Sequence, residues 1–419
     1  MTEARDRLDI LLVSNLWPPA FVGGYELGAS EVARSLEARG HRITVLTSTY
    51  GPSDAGHDGR VARLLYEQVH WRPQRLRRLV VEGLRSAAAI PRVRRFLRES
   101  TFDLVYLFNP LGLTATVVQS LAGAGRPVVA YVSDDWVGTW PSCDRLYAAW
   151  TAPMRASSRP RAFVAALVRR WLERRGVLTR EPSRLPFEHA QYVSRFIEGI
   201  SVARGRPRTQ QVIPWGIDVS RFPYRDRTPA ELSQWRYVGQ IEQHKGAHTA
   251  VDAVRILRDS GQPVALTLFG NDTTGFATAL KQRVADEGLA SFVRFAGRRP
   301  RERLWEEAYD RGGTLVFPAE WDEPFSITLL EAFASGLPVI ATVTGGTGEV
   351  VRDGETATAV HAGSAEHLAS QWRGLVDDPE RAVRMARRAR AVVEQEFGLA
   401  RMVDRVETHL RDVAGGRWT

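Results

Sequence analysis

The chain has 419 residues, 44% of them hydrophobic and 9% aromatic, with 57 basic against 48 acidic side chains, a net charge of +9 and one cysteine. At about 150 residues per domain this length implies two or three domains, and the composition excludes a disordered chain. The apolar stretches break short of the about 20 residues a membrane-spanning helix requires, and Cys143 alone excludes both an internal disulfide framework and a cysteine-cluster metal site.

In chain order, residues 1–9 lead into Ile10-Leu11-Leu12-Val13-Ser14-Asn15. This reads as a first strand, since a secretory leader has a basic start and a longer apolar stretch, and the expected compartment is the cytoplasm. Strands at 9–14 and 42–48 flank a helix at 25–39 that Gly40 closes, which is a βαβ unit. Residues 60–99 carry eleven arginines against three glutamates, and residues 151–185 nine against two, so positive charge concentrates in the N-terminal half. Such stretches point to an anionic ligand, a membrane surface or nucleic acid, or to arginine-decorated solvated helix faces, the reading preferred here. No helix-turn-helix, zinc-finger or RNA-recognition signature accompanies the charge, so no nucleic-acid partner is expected. Within the second stretch, 163–172 has an amphipathic pattern that suits a core-facing helix or, failing that, peripheral membrane contact.

Further buried strands are expected at 104–108, 127–133 and 190–194. The segment 204–229, rich in Gly, Pro and Arg, reads as a linker. Beyond it the alternation restarts, with strands at 235–239, 264–270, 292–296, 314–318 and 338–342 and helices near 247–259, 276–287, 301–309 and 326–335. A mostly helical tail runs from 365 to 418. The sequence therefore specifies an α/β protein of two Rossmann-like domains in tandem, with ligands expected at the C-terminal edges of the strands.

The segment from Phe317 to Ala341 carries the strongest chemical signal. A strand ends, Glu323-Pro324 turns the chain, and a helix opens at Phe325, Ser326 and Ile327, whose free amides and positive dipole end suit a diphosphate. Glu331 lies about 6 to 9 Å along that helix, a reach suited to ribose hydroxyls. Glu323, preceding the helix, faces the far side of the phosphates, where a carboxylate accepts from sugar hydroxyls. Lys245 is one of two lysines among 55 arginines. A compact point charge there fits neutralisation of a leaving diphosphate. Gly23 and Gly24, lacking Cβ, let backbone approach a ligand ahead of a helix.

The acid at Glu323 followed by Glu331 resembles the E-x7-E motif of retaining family-4 glycosyltransferases of GT-B fold. The stretch from Leu16 to Gly24 looks like their first glycine loop, Val212-Ile-Pro-Trp-Gly-Ile-Asp218 their interdomain segment, and Val238 to Gly246 their phosphate-binding strand and turn. Residues around Gly297 and Arg298 resemble the loop that contacts the base. The resemblance implies two domains facing each other across a cleft, at 1–205 (acceptor side) and 206–395 (nucleotide-sugar side), with a C-terminal helix at 396–419 returning to the first.

It also implies a metal-independent, cofactor-free enzyme moving a sugar from a nucleoside diphosphate sugar, UDP or GDP, to an acceptor. Gly23, Gly24, Gln240, Lys245, Arg298, Glu323, Phe325, Ser326, Ile327 and Glu331 would bind the donor. Glu323 and Lys245 would act in catalysis with Asp134 and Ser133, and Asp134, Asp135 and Trp136 would meet the acceptor. Two positions depart from the family: Gln240 stands where relatives usually have Arg, with Arg298 or Arg299 as possible substitutes, and Ser133 where many have His. Asp134 and Asp135 are adjacent, unlike the alternating acids of metal-dependent transferases. The acceptor is expected to be a small metabolite or natural-product intermediate, with a lipid-linked or polysaccharide acceptor as the alternative. The rivals are a same-fold nucleotide-sugar epimerase and a binding module for anionic surfaces.

Overall fold

The computed structural model describes residues 7–21, 23–50, 60–66, 76–140, 159–176, 185, 187–203, 205–272 and 274–417. Cys143 lies outside them. The chain divides into two compact units, Met1–Ile213 with Val403–Thr419, and Pro214–Met402.

In the first unit the chain runs β1 (Asp9–Val13), α1 (Gly24–Ala38), β2 (Arg42–Ser48), β3 (Val61–Leu65), α2 (Leu76–Glu99), β4 (Leu104–Leu107), α3 (Ala115–Ala122), β5 (Val128–Val132), α4 (Arg159–Arg174), β6 (His189–Tyr192), α5 (Arg195–Val202) and β7 (Thr209–Val212). The seven strands are parallel in the order β3-β2-β1-β4-β5-β6-β7. Their central members are continuous apolar runs because helices cover both faces: β4 and β5 are buried throughout, and Ile10 sits beside both Ile43 and Leu104. The order reverses between β1 and β4, so the loops leaving those two strands flank a crevice at the C-terminal edge.

The second unit repeats the scheme: β8 (Gln234–Val238), α6 (Ala247–Asp259), β9 (Ala265–Phe269), α7 (Phe276–Asp286), β10 (Val293–Phe295), the short α8 (Arg301–Leu304) running into a wider π-helical stretch at Trp305–Asp310, β11 (Thr314–Phe317), α9 (Ile327–Ala334), β12 (Val339–Thr342) and β13 (Thr358–Val360), then α10 (Ala365–Asp377), α11 (Pro379–Glu396) and α12 (Leu399–Ala414). The six strands are parallel in the order β10-β9-β8-β11-β12-β13, reversing between β8 and β11. One core, including Trp235, Leu266, Val316, Ile340 and Trp372, joins this sheet to α6, α7 and α10. Asp378 caps α11 and Pro379 opens it, while Gly336 closes α9 at φ +77, where a Cβ would lie 2.4 Å from the Arg225 carbonyl oxygen.

Three strands escape the sequence pattern. β7 falls inside the segment read as a linker, and the units divide after it, at Ile213/Pro214. Thr-Gln-Gln-Val has no apolar face to advertise a strand; it is held by its ladder with β6 and by its position at the sheet edge. β3 and β13 are likewise edge strands, of five and three residues. The last helix crosses the second boundary: α12 begins in the second unit, and its residues from Val403 onward belong to the first. There Glu407 takes Arg39 at 2.6 Å and His41 at 3.1 Å, and the His409 ring lies 3.1 Å from Gln191 Nε2 and 2.8 Å from Thr209 Oγ1.

Candidate functional site

In the second unit, the loops leaving β8 and β11 meet at the point where the strand order reverses. Gly246 sits in the left-handed region at φ +71, and a Cβ there would fall 1.8 Å from the Pro318 carbonyl oxygen, so only glycine lets these two loops touch. That contact carries Lys245 to Glu323: Nζ donates to Oε2 at 2.6 Å, and both side chains are mostly buried. Trp321 Nε1 donates to the same carboxylate oxygen at 2.9 Å, while its ring lies under the Lys245 ammonium, 4.4 Å from the centroid. The Trp321 ring therefore orients both partners of the ion pair. Gly346 N donates to the Glu323 carbonyl at 2.7 Å, holding the backbone of the same turn. Glu320, one residue before Trp321, accepts from Thr249 Oγ1 and lies 3.2 Å from His248 Nε2, so the His248 ring faces this carboxylate.

Immediately beyond Glu323 the chain enters α9. Phe325 is buried against Phe397, and Ser326 is the N-cap, its Oγ accepting from Leu329 N. With that amide satisfied, those ahead of it, from Ile327 and Thr328, face out of the helix end beside Lys245 and Glu323, as anion binding requires.

Glu331 is not a solvated flank residue. It is buried, its side chain 6% exposed, with Oε2 accepting from Tyr309 OH at 2.7 Å and Oε1 3.2 Å from an Arg301 guanidinium nitrogen. Burial and the adjacent Glu331 charge hold the Tyr309 phenol well above its ordinary pKa, so it stays a donor. Arg301 and Tyr309 are functional candidates that sequence reading missed; no motif announces them, because α8 and its π-helical continuation bring them in. Arg299 is engaged by Glu307, which weakens it as the substitute charge for Gln240. Gln240 itself is half-buried, with no hydrogen bond to its side chain among the described residues, while its carbonyl accepts from Tyr237 OH at 2.7 Å. Arg298 is exposed in the turn after β10, beside Gly297 at φ +74.

The first unit has its own convergence at its own reversal point. Gly23 is the N-cap of α1, its amide donating to Glu26 Oε2 at 3.0 Å, and Glu26 Oε1 accepts from Asn109 Nδ2, in the loop after β4, at 3.1 Å. A Cβ on Gly23 would meet nothing within 4 Å, so packing within the protein does not demand glycine there, and the space beside it is open. Tyr25 spans the strand ends, its hydroxyl donating to the Phe108 carbonyl at 2.6 Å and also to Tyr131 O, while Ser133 N donates to that hydroxyl at 3.4 Å. Ser133 and Asp134 thus sit where β5 ends, beside Tyr25 and Glu26. Asp134 Oδ1 accepts from Trp136 N at 3.1 Å. Burial is the main cause that raises the Asp134 pKa to about 7, aided by the negative charges of Glu26 and Asp135 and opposed by the Trp136 amide. Near neutral pH this carboxyl can accept or donate, the property expected of an acceptor-orienting group or a base.

Asp135 is exposed at the start of a helical turn, its carbonyl accepting from Thr139 N. Trp136 is buried against Trp140 and Phe187, so it is a wall of this site's support rather than a surface contact. Tyr192 and Trp215 are buried packing residues, and Asp218 caps the short turn Val219–Arg221. Among the described residues no group of three or more His, Cys, Asp or Glu could hold a metal ion.

Two family models match the chain: one described as Glycosyltransferase Family 4 over residues 22–221, and one described as Glycosyl transferases group 1 over residues 229–392. The chain belongs to this glycosyltransferase family. The two matches account for both sheets and for both reversal-point sites. A glycogen synthase of Mycobacterium tuberculosis is 35% identical over 190 residues, and the match spans only 44% of this chain and 44% of that enzyme. A GDP-mannose-dependent alpha-(1-6)-phosphatidylinositol monomannoside mannosyltransferase of the same organism is 26% identical over 405 residues, covering 93% of this chain and 94% of the relative. Among solved structures, Anabaena HepE in complex with UDP and glucose superimposes with a TM-score of 0.68 at 19% identity, covering 96% of this chain and 99% of that one. That likeness establishes the GT-B fold.

Proposed function

We propose that this chain transfers a sugar from a nucleoside diphosphate sugar to an acceptor hydroxyl with retention of anomeric configuration. The observation that carries the reading is the Lys245–Glu323 ion pair at 2.6 Å, set beside the opening of α9. The acceptor oxygen bonds to the anomeric carbon as that carbon's bond to the phosphate oxygen breaks. The bonding electrons leave with the diphosphate, which takes the acceptor proton. Charge therefore grows on the phosphate, where the Lys245 ammonium and the α9 amides stabilise it. Lys245 has two further N–H donors for the phosphate while the first stays on Glu323. Glu323 has a second oxygen to receive a sugar hydroxyl, and Glu331, steadied by Arg301 and Tyr309, presents its edge to the ribose.

UDP or GDP is the proposed carrier, supported by the UDP in the HepE complex and the GDP-mannose in the mannosyltransferase's name. A small metabolite or natural-product intermediate is one acceptor class. A lipid-linked acceptor is the second, and the relative that matches over nearly the whole chain, named for a phosphatidylinositol monomannoside, favours it. The testing experiment is a thermal-shift panel with UDP, GDP, ADP, dTDP and NAD, followed by product analysis with the matching sugar nucleotide. At 100 times the dissociation constant a ligand adds about 2.7 kcal/mol, a readable shift. Stabilisation by one nucleoside diphosphate supports the reading; silence from all, or a response to NAD alone, overturns it.

A further inference from the structure

Both the backbone and the carboxylate of Glu331 belong to one closed ring of hydrogen bonds. The carboxylate accepts from Tyr309 OH at 2.7 Å, and the carbonyl accepts from Ser335 N at 3.0 Å and Ser335 Oγ at 2.8 Å. Arg227, in the segment ahead of β8, joins the two sides. Its Nη2 donates to the Tyr309 carbonyl at 2.9 Å and to the Ser335 carbonyl at 2.8 Å, and its Nη1 to the Asp310 carbonyl at 3.1 Å. These carbonyls lie at the C-terminal ends of the π-helical stretch Trp305–Asp310 and of α9, where the helix dipole is negative and a cation is favoured. Arg227 is 4% exposed, and all three of its hydrogen bonds among the described residues go to backbone carbonyls. Burial, with the neighbouring Arg225 charge, lowers its pKa to about 10, which leaves it a cation at neutral pH. The planar fork of a guanidinium reaches both helix ends at once, which the point charge of an ammonium does not match. The wide turn of the π-helical stretch sets where Tyr309 points, so tying its end to the end of α9 keeps the Tyr309 hydroxyl on Glu331.

We infer that Arg227 is a positioning residue of the donor site, which fixes the Glu331 carboxylate through Tyr309 and Ser335 and so sets a preference for a ribose over a deoxyribose carrier. The inference rests on the reading of Glu331 as the group that accepts from the ribose. A carboxylate that meets two adjacent hydroxyls depends on its orientation to within a fraction of an ångström. The diphosphate contacts at the other end of α9 come from backbone amides and Lys245, outside the ring, and tolerate a shift of Glu331. Loss of Arg227 therefore weakens recognition of the ribose more than recognition of the phosphates. A carrier without the second hydroxyl, such as dTDP, gains little from the ring and is the poorer donor.

The test is calorimetric titration of the full chain with UDP, dUDP, GDP and dGDP. The parent should bind the ribose member of one pair about 10- to 100-fold tighter than its deoxy partner, the span of one hydrogen bond to a charged group. Arg227→Met should lower that ratio about tenfold, by weakening the ribose form, and Tyr309→Phe by a similar factor. Arg227→Lys, which keeps the cation at the helix ends, should lower it less and serves if Arg227→Met does not fold; circular dichroism certifies each variant. Arg390 supplies the control, since it also donates to the end of α9, at the Ala334 carbonyl, and to the Phe222 carbonyl, outside the ring. Arg390→Met should melt at a lower temperature with the ratio unchanged. A ratio unmoved by loss of Arg227, or lowered as much by Arg390→Met, overturns the inference and leaves the ribose reading standing. A parent that binds both members of each pair equally overturns the ribose reading, and the inference with it; a parent that binds none of the four overturns the donor reading on which both stand.

Discussion

Asp134 offers a perturbation whose size follows from its surroundings. Its carboxyl titrates near 7 instead of 3.8 because the folded chain covers it and places Glu26 and Asp135 nearby. The folded state therefore holds this proton more tightly than the unfolded state does. The stabilisation it lends is complete below about pH 4 and is lost as pH rises through 7. Three pKa units correspond to roughly 4 kcal/mol, and water reaching the partly covered carboxylate reduces this to about 2 kcal/mol. Asp134→Asn keeps the acceptor for the Trp136 amide, stays neutral at every pH, and turns a donor toward the neighbouring acids. In urea unfolding followed by fluorescence, the Asn variant should match the parent at pH 4 and exceed it by about 2 to 4 kcal/mol at pH 8. A gap of equal size at both pH values, or a parent more stable than the variant at pH 8, would refute the assignment of the raised pKa to this buried cluster. If Asp134 also orients the acceptor, the variant loses a titration near pH 7 from its kcat/KM profile.

Glu323→Ala and Lys245→Ala should each lower turnover on the order of 10²-fold with the fold intact, measured as sugar transfer under saturating donor; intact turnover in both would sink the transferase reading. Trp321→Phe keeps the ring beneath Lys245 but removes the donor to Glu323, and about a 10-fold fall in kcat is expected, with a melting temperature near the parent's. Gly246→Ala forces a Cβ into the Pro318 carbonyl from a left-handed backbone, so the chain should lose at least about 3 kcal/mol of stability in urea or fail to accumulate folded. His409, buried and held to a pKa of about 4, is neutral in the folded state; stability should fall by up to about 3 kcal/mol as pH drops from 6.5 through 4, a slope that His409→Gln should flatten in acid unfolding curves.

How much of this was legible beforehand follows from which forces act locally. The alternation of apolar runs with amphipathic stretches is a property of the chain itself, so the central strands and helices α1, α6 and α9 stand within a residue or two of where periodicity puts them. The Ser326 cap, the Pro379 start and the glycine stops are equally local. The spacing of Glu323 and Glu331, and Lys245 as one of two lysines in an arginine-rich chain, likewise marked the candidate site in the sequence alone. The edge strands β3, β7 and β13 were not legible, because a strand at the margin of a sheet is held by its partner's hydrogen bonds rather than by its own hydrophobicity. The partners of the two glutamates were hidden for a related reason. Trp321 lies two residues from Glu323, yet only the Gly246–Pro318 contact brings Lys245 to both, and Arg301 and Tyr309 reach Glu331 across a separate helix. Asp134 carries no mark in the sequence of a pKa near 7, since burial and the field of Glu26, over a hundred positions away, exist only once β1 and β5 lie in one sheet. Composition and periodicity decided the kind of protein; distance between residues remote in sequence decided what its charges do, because desolvation and Coulomb attraction depend on space and not on chain order.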